Sequence, residues 1–332
     1  MIEIQFYNIK NKDELVDTLK NMEPLKVAFH QDSDGLGAAC LLASIFKVEE
    51  DDKFPYSPAL FGFYQEANVA LDLGPPVFEG FSGIAIDHHP SHVPNPNYKL
   101  VLGNIPTGVM IYELFKDMIP VDKQWLAVLS ATGDGQPEIV PPEIWENNPD
   151  LWDTQGNVYR DQYRNIKTYP YPMFSKLSGP INSMTRMGDA MGAYNILRKA
   201  KNIRDVINNP MALRASKKMD EDVKKIYSSD NPPVVENVGH FGIVKINSSY
   251  HIAGRIATEL SIAERYITFI VINQQSGEIS VRGLLTKYLT DKLAAKGYLA
   301  GGHASFGGIS LLPDQEIETL VSDIRKIAKT AF

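Results

Sequence analysis

Three side chains able to bind a metal ion fall within five consecutive positions near the amino terminus. His30, Asp32 and Asp34 alternate in the segment HQDSDG, directly after the apolar run PLKVAF. Because alternate residues of an extended segment lie on one face, the three side chains can converge. Two close carboxylates repel each other, whereas a divalent cation binds carboxylate oxygen and imidazole nitrogen together. The segment therefore predicts a metal site; the alternative is a polar turn that caps the following helix.

Further acidic and histidine residues follow other apolar runs in the first half of the chain. Asp72 ends the run VALD, the triplet Asp87, His88 and His89 follows GIAI, and Asp134 follows QWLAVLSATG. We interpret these three runs, together with PLKVAF, as four strands. Since ligands of open α/β sheets gather at the carboxyl ends of the strands, we expect all of these side chains to share one site.

The elements that must position these side chains alternate between short apolar runs and helical patterns. GLGAACLLASIF, which starts at Gly35, is typical of a buried helix, and the neighbouring runs have the length of strands. We therefore predict an α/β fold with an amino-terminal, doubly wound parallel sheet over residues 1–187. A helical linker of two helices is predicted over 188–232, and a smaller α+β domain with a mixed sheet over 233–332.

A competing interpretation treats Gly35 and Gly37 as a loop that binds the phosphates of a dinucleotide. The match to the glycine pattern fails at Cys40, and Asp32 and Asp34 would repel a pyrophosphate. The metal site is therefore favoured over the phosphate loop.

The composition is that of a globular protein large enough to form two cores. The chain has 332 residues, of which 44% are hydrophobic and 22% charged. Its longest apolar runs, such as YITFIVI from Tyr266, are shorter than the roughly 18 residues that span a membrane. The amino-terminal segment lacks the pattern of a secretory signal, and a single Cys40 excludes a disulfide within the chain. We expect a cytoplasmic protein with no membrane partner.

An ordered set of motifs resembles the DHH phosphoesterase superfamily. The set consists of HQDSDG, the lone Asp72, DHH at 87–89, Asp134 and GGH at 301–303. The segment GPINSMTRMGDAMGAYNIL from Gly179 also resembles the sequence before the linker helix of RecJ-like single-strand exonucleases. The resemblance implies two catalytic divalent metals, most often manganese, with magnesium or cobalt as alternatives. It assigns one metal to His30, Asp32 and Asp72, and the other to Asp34, Asp72, His88 and Asp134.

The same resemblance implies roles for residues outside the two ligand sets. Asp87 and His89 would support the metals or contact a phosphate, which gives a catalytic group of Asp72, Asp87, His88 and His89. In the carboxyl-terminal domain, the phosphate of the substrate would contact Ser280, Arg282, Gly301, Gly302 and His303. The chemistry agrees, because arginine forms forked hydrogen bonds to phosphate and glycine lets backbone amides approach it.

The resemblance implies a phosphodiesterase that digests single-stranded DNA or RNA from an end. A hydrolase of very short oligonucleotides or cyclic dinucleotides is the first alternative, and the net charge of −7 favours it. A noncatalytic partner in replication or repair is an alternative of another class. Residues 198–225 carry nine basic and four acidic side chains, which would either guide a phosphate backbone or form a solvated helical face.

Two other features leave alternatives open. The aromatic residues within 145–174 would stack on bases, pack within their own domain, or pack against a second copy of the chain in a homo-oligomer. His92 follows the DHH segment closely enough to be an outer ligand, and His251 precedes the start of a helix; for both residues a structural role and a functional role stay open.

Overall fold

The chain divides into two compact units. The computed structural model describes residues 2–51, 53–56, 66–74, 80–90, 92–147, 157–160, 166–169, 174–228, 232–302 and 304–330. The larger unit comprises Met1–Tyr159, Ile166–Thr185 and Asp189–Ser216, and the smaller is built around Lys217–Phe332. None of the helices among the described residues is long and apolar enough to cross a membrane.

The larger unit contains most of the helices and a five-stranded sheet. In chain order its elements are β1 (Ile4–Tyr7), α1 (Lys12–Asn21), β2 (Val27–Phe29), α2 (Ser33–Ala43), β3 (Val69–Leu71), β4 (Ile84–Asp87), β5 (Lys99–Gly103), α3 (Thr107–Phe115), α4 (Leu126–Gly133), α5 (Pro142–Asn147), β6 (Asn157–Arg160), β7 (Ile166–Tyr169), α6 (Phe174–Arg186), α7 (Ala190–Lys199) and α8 (Ile203–Ile207).

The five-stranded sheet has the order β1-β5-β4-β3-β2. The strands β2, β3, β4 and β5 are parallel, and β1 adds an antiparallel edge beside β5. Both faces are buried, as expected for a parallel sheet. One face carries the register partners Ala28, Ala70, Ala85 and Leu100, and the strand alternation puts Phe29, Leu71, Ile86 and Val101 on the other. The predicted α/β class with a parallel sheet is confirmed.

One of the four predicted strands is wrong. QWLAVLSATGDG forms α4, Leu126–Gly133, and Asp134 is the residue that caps its carboxyl-terminal end. Every residue from Leu126 to Thr132 is buried, so the segment has no polar face to reveal a helical period. The periodicity of this apolar run therefore does not distinguish a buried helix from a strand, although Asp134 still follows its end.

Small residues bring three helices of the larger unit together. A Cβ atom added to Gly37 of α2 or to Gly108 of α3 would overlap Ser130 Oγ of α4. Ser130 Oγ lies 3.3 Å from the carbonyl oxygen of Asp34, to which it donates a hydrogen bond. Gly35 and Gly37 therefore serve close packing of α2 rather than a phosphate loop.

The smaller unit is a six-stranded mixed sheet with helices on both faces. It contains most of α9 (Pro210–Tyr227), followed by β8 (Val235–Val238), β9 (Phe241–Ile246), α10 (Ala253–Ala263), β10 (Thr268–Asn273), β11 (Ile279–Arg282), α11 (Thr286–Ala294), β12 (Leu299–Gly302), β13 (Phe306–Ser310) and α12 (Ile317–Ala328). The strand order is β12-β13-β11-β10-β9-β8. Ile270 and Ile272 pack towards α11 and α12, whereas Phe269 and Val271 pack towards α10. The predicted α+β class with a mixed sheet is confirmed.

The predicted linker contains three helices rather than two. Asn202 and Asp205 form a reciprocal capping box, in which each side chain accepts a hydrogen bond from the other's backbone N–H, and this starts the short helix α8. Pro210 begins α9 instead of interrupting a helix, because a proline at the first helical position loses no hydrogen bond.

Candidate metal centre

The loop after β2 supplies His30 and Asp32 to the candidate site. Asp32 is the N-cap of α2, and its Oδ1 accepts hydrogen bonds from the backbone N–H groups of Asp34 and Gly35, at 3.0 and 3.1 Å. Its other oxygen, Oδ2, lies 2.9 Å from His30 Nδ1. The helix cap and the metal site predicted from HQDSDG are therefore compatible, because each uses a different oxygen of the same carboxylate.

Asp72 occupies a strained position at the end of β3. It adopts a left-handed backbone conformation with φ of 57°, which costs a non-glycine residue about 1 to 2 kcal/mol. Its carboxylate is 2% exposed and lies between two histidines, with Oδ1 3.2 Å from His88 Nε2 and Oδ2 3.5 Å from His30 Nδ1. The turn thus points the carboxylate into the middle of the cluster.

Asp34 is held by the amino-terminal end of α3. Its Oδ2 accepts a hydrogen bond from the backbone N–H of Thr107 at 2.8 Å, and its Oδ1 accepts one from Gly108 at 2.9 Å. A helix amino terminus stabilises an anion through these N–H groups and through the helix dipole. Asp34 Oδ2 also lies 3.6 Å from His88 Nε2.

Asp134 places a carboxylate at the carboxyl-terminal end of α4, where the helix dipole repels it. Asp134 Oδ2 lies 3.2 Å from His88 Nε2, is buried, and makes no hydrogen bond to another described residue. A buried carboxylate oxygen in this position is stabilised by a cation. Asp134 is therefore the clearest sign that the cluster is built for positive charge.

The electrostatics of the cluster are those of crowded buried carboxylates. Burial raises the pKa of Asp134 to about 7, although His88 opposes the shift, and burial with the charge of Asp72 raises the pKa of Asp34 well above its usual range. Burial also disfavours ionised Asp72, but hydrogen bonds from His30 and His88 outweigh it and lower its pKa. Burial lowers the pKa of His88, but Asp134 and Asp72 outweigh it and raise the pKa. A bound cation would let all three carboxylates ionise together.

The structure brings the implied ligands together in two adjacent groups. His30, Asp32 and Asp72 form one group, and Asp34, His88 and Asp134 form another, with the potential ligand atoms of each group within 4.8 Å of one another. Asp72 belongs to the first group and contacts His88 of the second, which is the position of a shared ligand. The donor set of carboxylate oxygen and imidazole nitrogen fits divalent cations such as manganese or magnesium.

Asp87 lies beside these groups, with its carboxylate directed at histidines. Its Oδ1 accepts a hydrogen bond from the His88 backbone N–H and lies 2.7 Å from His89 Nδ1, and its Oδ2 lies 2.6 Å from His92 Nε2. His89 is 18% exposed, and its Nδ1 is 3.9 Å from Asp72 Oδ1. Asp87 and His89 thus form, with Asp72 and His88, a third group whose potential ligand atoms lie within 4.8 Å of one another.

The predicted phosphate contacts lie in the smaller unit. Ser280 of β11 and Gly301 of β12 are both register partners of Gly308 on β13. Gly302 has φ of 140°, a conformation that only glycine adopts readily, and a Cβ there would overlap the carbonyl oxygen of Phe306. His303 lies outside the described residues. The two strands therefore place Ser280 and the Gly301-Gly302 turn on either side of one central strand.

Arg282 is held in place by the same strands. Its Nη1 donates hydrogen bonds to the carbonyl oxygens of Val281 and Gly307, and its guanidinium lies 5.0 Å from the ring centre of Phe306. Phe306 therefore supports the arginine by a cation–π contact. A Cβ on Gly254 would lie 3.4 Å from Arg282 Nη2 and 3.5 Å from both Ser280 Oγ and Glu278 Oε1, so the arginine, the hydroxyl and the Glu278 carboxylate converge on one point.

Some residues that shape the site were not expected from the sequence. Thr107 and Gly108 hold Asp34, and Ser130 packs behind them. The run Pro106-Thr107-Gly108 is the signal that was available, because proline and threonine are typical at the start of a helix. A helix that begins at Thr107 presents backbone N–H groups without partners in the helix, and such groups can bind an anion.

The fold and the site geometry together define the RecJ-like DHH fold, as the motifs predicted. No protein-family model matches the chain, and no curated protein matches its sequence. Among solved structures, RecJ of Thermus thermophilus in complex with Mn²⁺ is similar, with a TM-score of 0.62 and 15% identity over 96% of this chain and 53% of that one. The chain thus spans about half the length of that RecJ.

Two other solved structures match this chain over nearly their whole length. CDC45 from Entamoeba histolytica has a TM-score of 0.58 and 8% identity, covering 96% of this chain and 98% of that one. An exopolyphosphatase-related protein from Bacteroides fragilis has a TM-score of 0.50 and 15% identity, covering 96% and 95%. At these identities the likeness establishes the fold, and the activity has to be argued from the residues.

Proposed function

We propose that this protein is a metal-dependent phosphodiesterase that hydrolyses single-stranded nucleic acid from an end. The observation that carries the proposal is the pair of adjacent ligand groups around Asp72, whose members directly follow β2, β3 and β4 or lie at the ends of α2 and α4. The likeness to a RecJ crystallised with Mn²⁺ supports manganese as the metal. The presence of every implied ligand favours catalysis over the alternative of a noncatalytic partner.

The residues of the larger unit would hold two cations and orient the reaction. His30, Asp32 and Asp72 would bind one cation, and Asp34, His88 and Asp134 would bind the other with Asp72 between them. Divalent cations held there would supply positive charge and make a water molecule a nucleophile near neutral pH. No serine, cysteine or threonine of the chain is needed as a nucleophile.

The residues of the smaller unit would bind a phosphate of the substrate. Arg282 offers a guanidinium already oriented by Gly307 and Phe306, and Ser280 offers a hydroxyl near the same point. The turn at Gly301-Gly302 allows backbone amides to approach a phosphate. Arg282→Ala is expected to raise KM while leaving the metal content unchanged.

Exposed lysines on α9 support a substrate longer than a dinucleotide. Lys217, Lys218, Lys224 and Lys225 are all exposed, and Lys218 also lies 5.5 Å from the centre of the Tyr250 ring. Lys217 has a weak ion pair with Glu221, at 4.0 Å. A phosphate backbone that contacts such lysines releases counterions, so its affinity falls with salt. The alternative of a very short substrate predicts no contribution from these lysines.

The decisive experiment compares substrates of two lengths. End-labelled single strands of about 12 nucleotides, enough for one single-strand groove, and dinucleotides are incubated with Mn²⁺, and the products are separated by size. We expect the longer strand to bind more tightly, to be shortened stepwise, and to show the steeper dependence on salt. Equal cleavage of both substrates with equal salt dependence would replace the exonuclease proposal with the short-oligonucleotide alternative.

A matched pair of variants isolates the role of α9. Replacing Lys217 and Lys224 with alanine should reduce the slope of log affinity against log salt by about 0.7 for each lost phosphate contact on a single strand. The control replaces Lys287 and Lys292, two exposed lysines on α11. The control should leave the slope unchanged, and neither pair should alter the rate for the dinucleotide.

A further inference from the structure

A turn after β4 brings His92 back onto Asp87. The segment is DHHPSH, and the backbone N–H of His92 donates a hydrogen bond to the carbonyl oxygen of His89 at 3.2 Å. The side chain of His92 is fully buried. Its Nε2 forms a hydrogen bond with the carbonyl oxygen of Leu73 at 2.9 Å and lies at an ion-pair distance of 2.6 Å from Asp87 Oδ2, which has no hydrogen bond to another described residue. His92 therefore contacts Asp87 on the side opposite to His89.

These contacts determine which nitrogen of His92 carries a proton. Both atoms beside Nε2 are oxygens that accept hydrogen bonds. An unprotonated Nε2 would direct its own lone pair at theirs, which is repulsive. Nε2 must therefore carry the proton. On the other side of the ring, the Tyr98 hydroxyl lies 3.4 Å from Nδ1, where it can donate a hydrogen bond to the lone pair of that nitrogen. The surroundings thus favour one tautomer of His92.

Asp87 contacts both His92 and His89, and its contact with His89 decides which nitrogen of that ring is protonated. Asp87 Oδ1 already accepts a hydrogen bond from the backbone N–H of His88, and Asp87 Oδ2 faces the protonated Nε2 of His92, so both carboxylate oxygens are placed as acceptors. Its Oδ1 lies 2.7 Å from His89 Nδ1, which must therefore be the donor. With Nδ1 protonated and directed at Asp87, Nε2 is the nitrogen that His89 offers elsewhere.

We propose that His92 is a positioning residue, which fixes Asp87 and through it holds His89 with Nδ1 protonated and Nε2 directed to the substrate. The role in hydrolysis rests on the proposed function, whereas the tautomer of His89 does not. The hydrogen-bonded partner of an imidazole commonly decides which ring nitrogen acts. Here the series Tyr98, His92, Asp87 and His89 runs from a buried tyrosine to a partly exposed imidazole.

The alternative is that His92 only fills the core. Tyr98 packs edge-on against it with ring centres 6.4 Å apart, and the same tyrosine packs on Phe81. A purely structural histidine would affect stability when replaced, but it would not change the tautomer of His89. The tautomer is therefore the measurement that separates the two roles.

The test uses the full chain labelled with ¹⁵N-histidine and loaded with Mg²⁺, which is diamagnetic. Two-bond ¹H–¹⁵N correlation spectra at alkaline pH report the tautomer of each neutral histidine. In the wild-type protein we expect His89 protonated at Nδ1 and His92 at Nε2. In His92→Leu we expect His89 to become a mixture of tautomers, and in His92→Gln, which keeps an N–H donor, we expect the Nδ1-protonated form to be retained.

Kinetics on a single-stranded substrate complete the test. His92→Leu should lower kcat about 10- to 100-fold, the usual effect of losing a group that orients a ligand, with KM and metal content near wild-type values. His92→Gln should recover most of the loss. An unchanged His89 tautomer in His92→Leu overturns the proposal, and if that variant does not fold, an Nε2-protonated His89 in the wild type overturns it as well. A correct tautomer pattern without hydrolysis by the wild type would instead refute the proposed function.

Discussion

Asp134 Oδ2 lies 3.2 Å from His88 Nε2, at the end of α4 where the helix dipole disfavours negative charge. His88 also contacts Asp34 and Asp72 through the same nitrogen. One imidazole nitrogen is therefore surrounded by three carboxylates. A proton on this nitrogen would reduce the repulsion among the carboxylates in the absence of metal, and a divalent cation could replace that proton.

Metal affinity should consequently depend on pH. Since the pKa of Asp134 is about 7 without metal, a cation must displace a proton from the centre below that pH. The apparent affinity for Mn²⁺ is expected to rise as the pH increases towards about 7. Isothermal titration calorimetry in two buffers of different ionisation enthalpy measures the protons released, and Asp134→Asn should release fewer. An affinity that does not vary between pH 5 and pH 7, the range of about two units below the raised pKa, would contradict this account.

The same carboxylate should lower the stability of the metal-free protein at neutral pH. A folded-state pKa raised above the unfolded value means that the unfolded chain ionises first, so stability falls as the pH rises from the ordinary aspartate value of 3.8 to about 7. Asp134→Asn removes this cost. We expect the variant to be more stable than the wild type in EDTA at neutral pH and less stabilised by added Mn²⁺, as measured by thermal unfolding.

Two substitutions of Asp72 separate the effect of losing its charge from the effect of its strained backbone conformation. Asparagine tolerates the left-handed conformation at this position, whereas alanine does not. Asp72→Asn should therefore fold normally but lose more than about 100-fold in hydrolysis, because a shared ligand matters more than an outer group. Asp72→Ala should lose activity equally and also lose about 1 kcal/mol of stability. Normal turnover of Asp72→Asn with Mn²⁺ would remove Asp72 from the centre.

Gly108→Ala should disturb both packing and the metal centre. The added Cβ would overlap Ser130 Oγ, so α3 must move away from α4, at a cost of about 1 to 3 kcal/mol. The movement would withdraw the N–H groups of Thr107 and Gly108 from Asp34, and the affinity for Mn²⁺ should fall. The matched control is Gly179→Ala in α6, where a Cβ would meet no heavy atom of the described residues within 4 Å apart from its chain neighbours and its own helix. Urea unfolding should show a change of less than about 1 kcal/mol in the control, because the better helix propensity of alanine is opposed by the steric restriction before Pro180.

Cys40 should be inert in the folded protein. It is 1% exposed within α2, and burial raises the pKa of its thiol to about 12. Because the thiolate is the reactive form, alkylation by iodoacetamide at mildly alkaline pH should require unfolding. The labelling rate should therefore rise with urea in parallel with the unfolded fraction. Fast labelling of the native protein without urea would show that α2 opens locally.

The clustering of the candidate metal ligands was predictable because each of them follows a recognisable apolar run. The alternation in His30, Asp32 and Asp34 and the triplet after β4 are local patterns, and a parallel sheet brings strand ends together whatever the loops between them. The support of Asp34 by Thr107 and Gly108 was not predictable in this way, since it joins residues more than 70 positions apart. Such contacts depend on how three helices pack.

The misassigned segment before Asp134 has a similar cause. A helix buried on all sides has the same apolar appearance as a buried strand, and the two differ in length and in the residues at their ends. In α4 the ends are Trp125 and Asp134, neither of which marks a helix boundary strongly. Asp134 still lies among the candidate ligands, although the element that carries it was predicted incorrectly.

The hydrogen bonds from Thr107 and Gly108 to Asp34 imply that the centre is preorganised. Ordering a side chain and its loop costs conformational entropy, and in a site assembled by its ion that cost would reduce the affinity. Here α3 and α2 are already joined through Asp34 when the chain folds. The entropy is therefore lost during folding, and the free energy of cation binding does not have to include it.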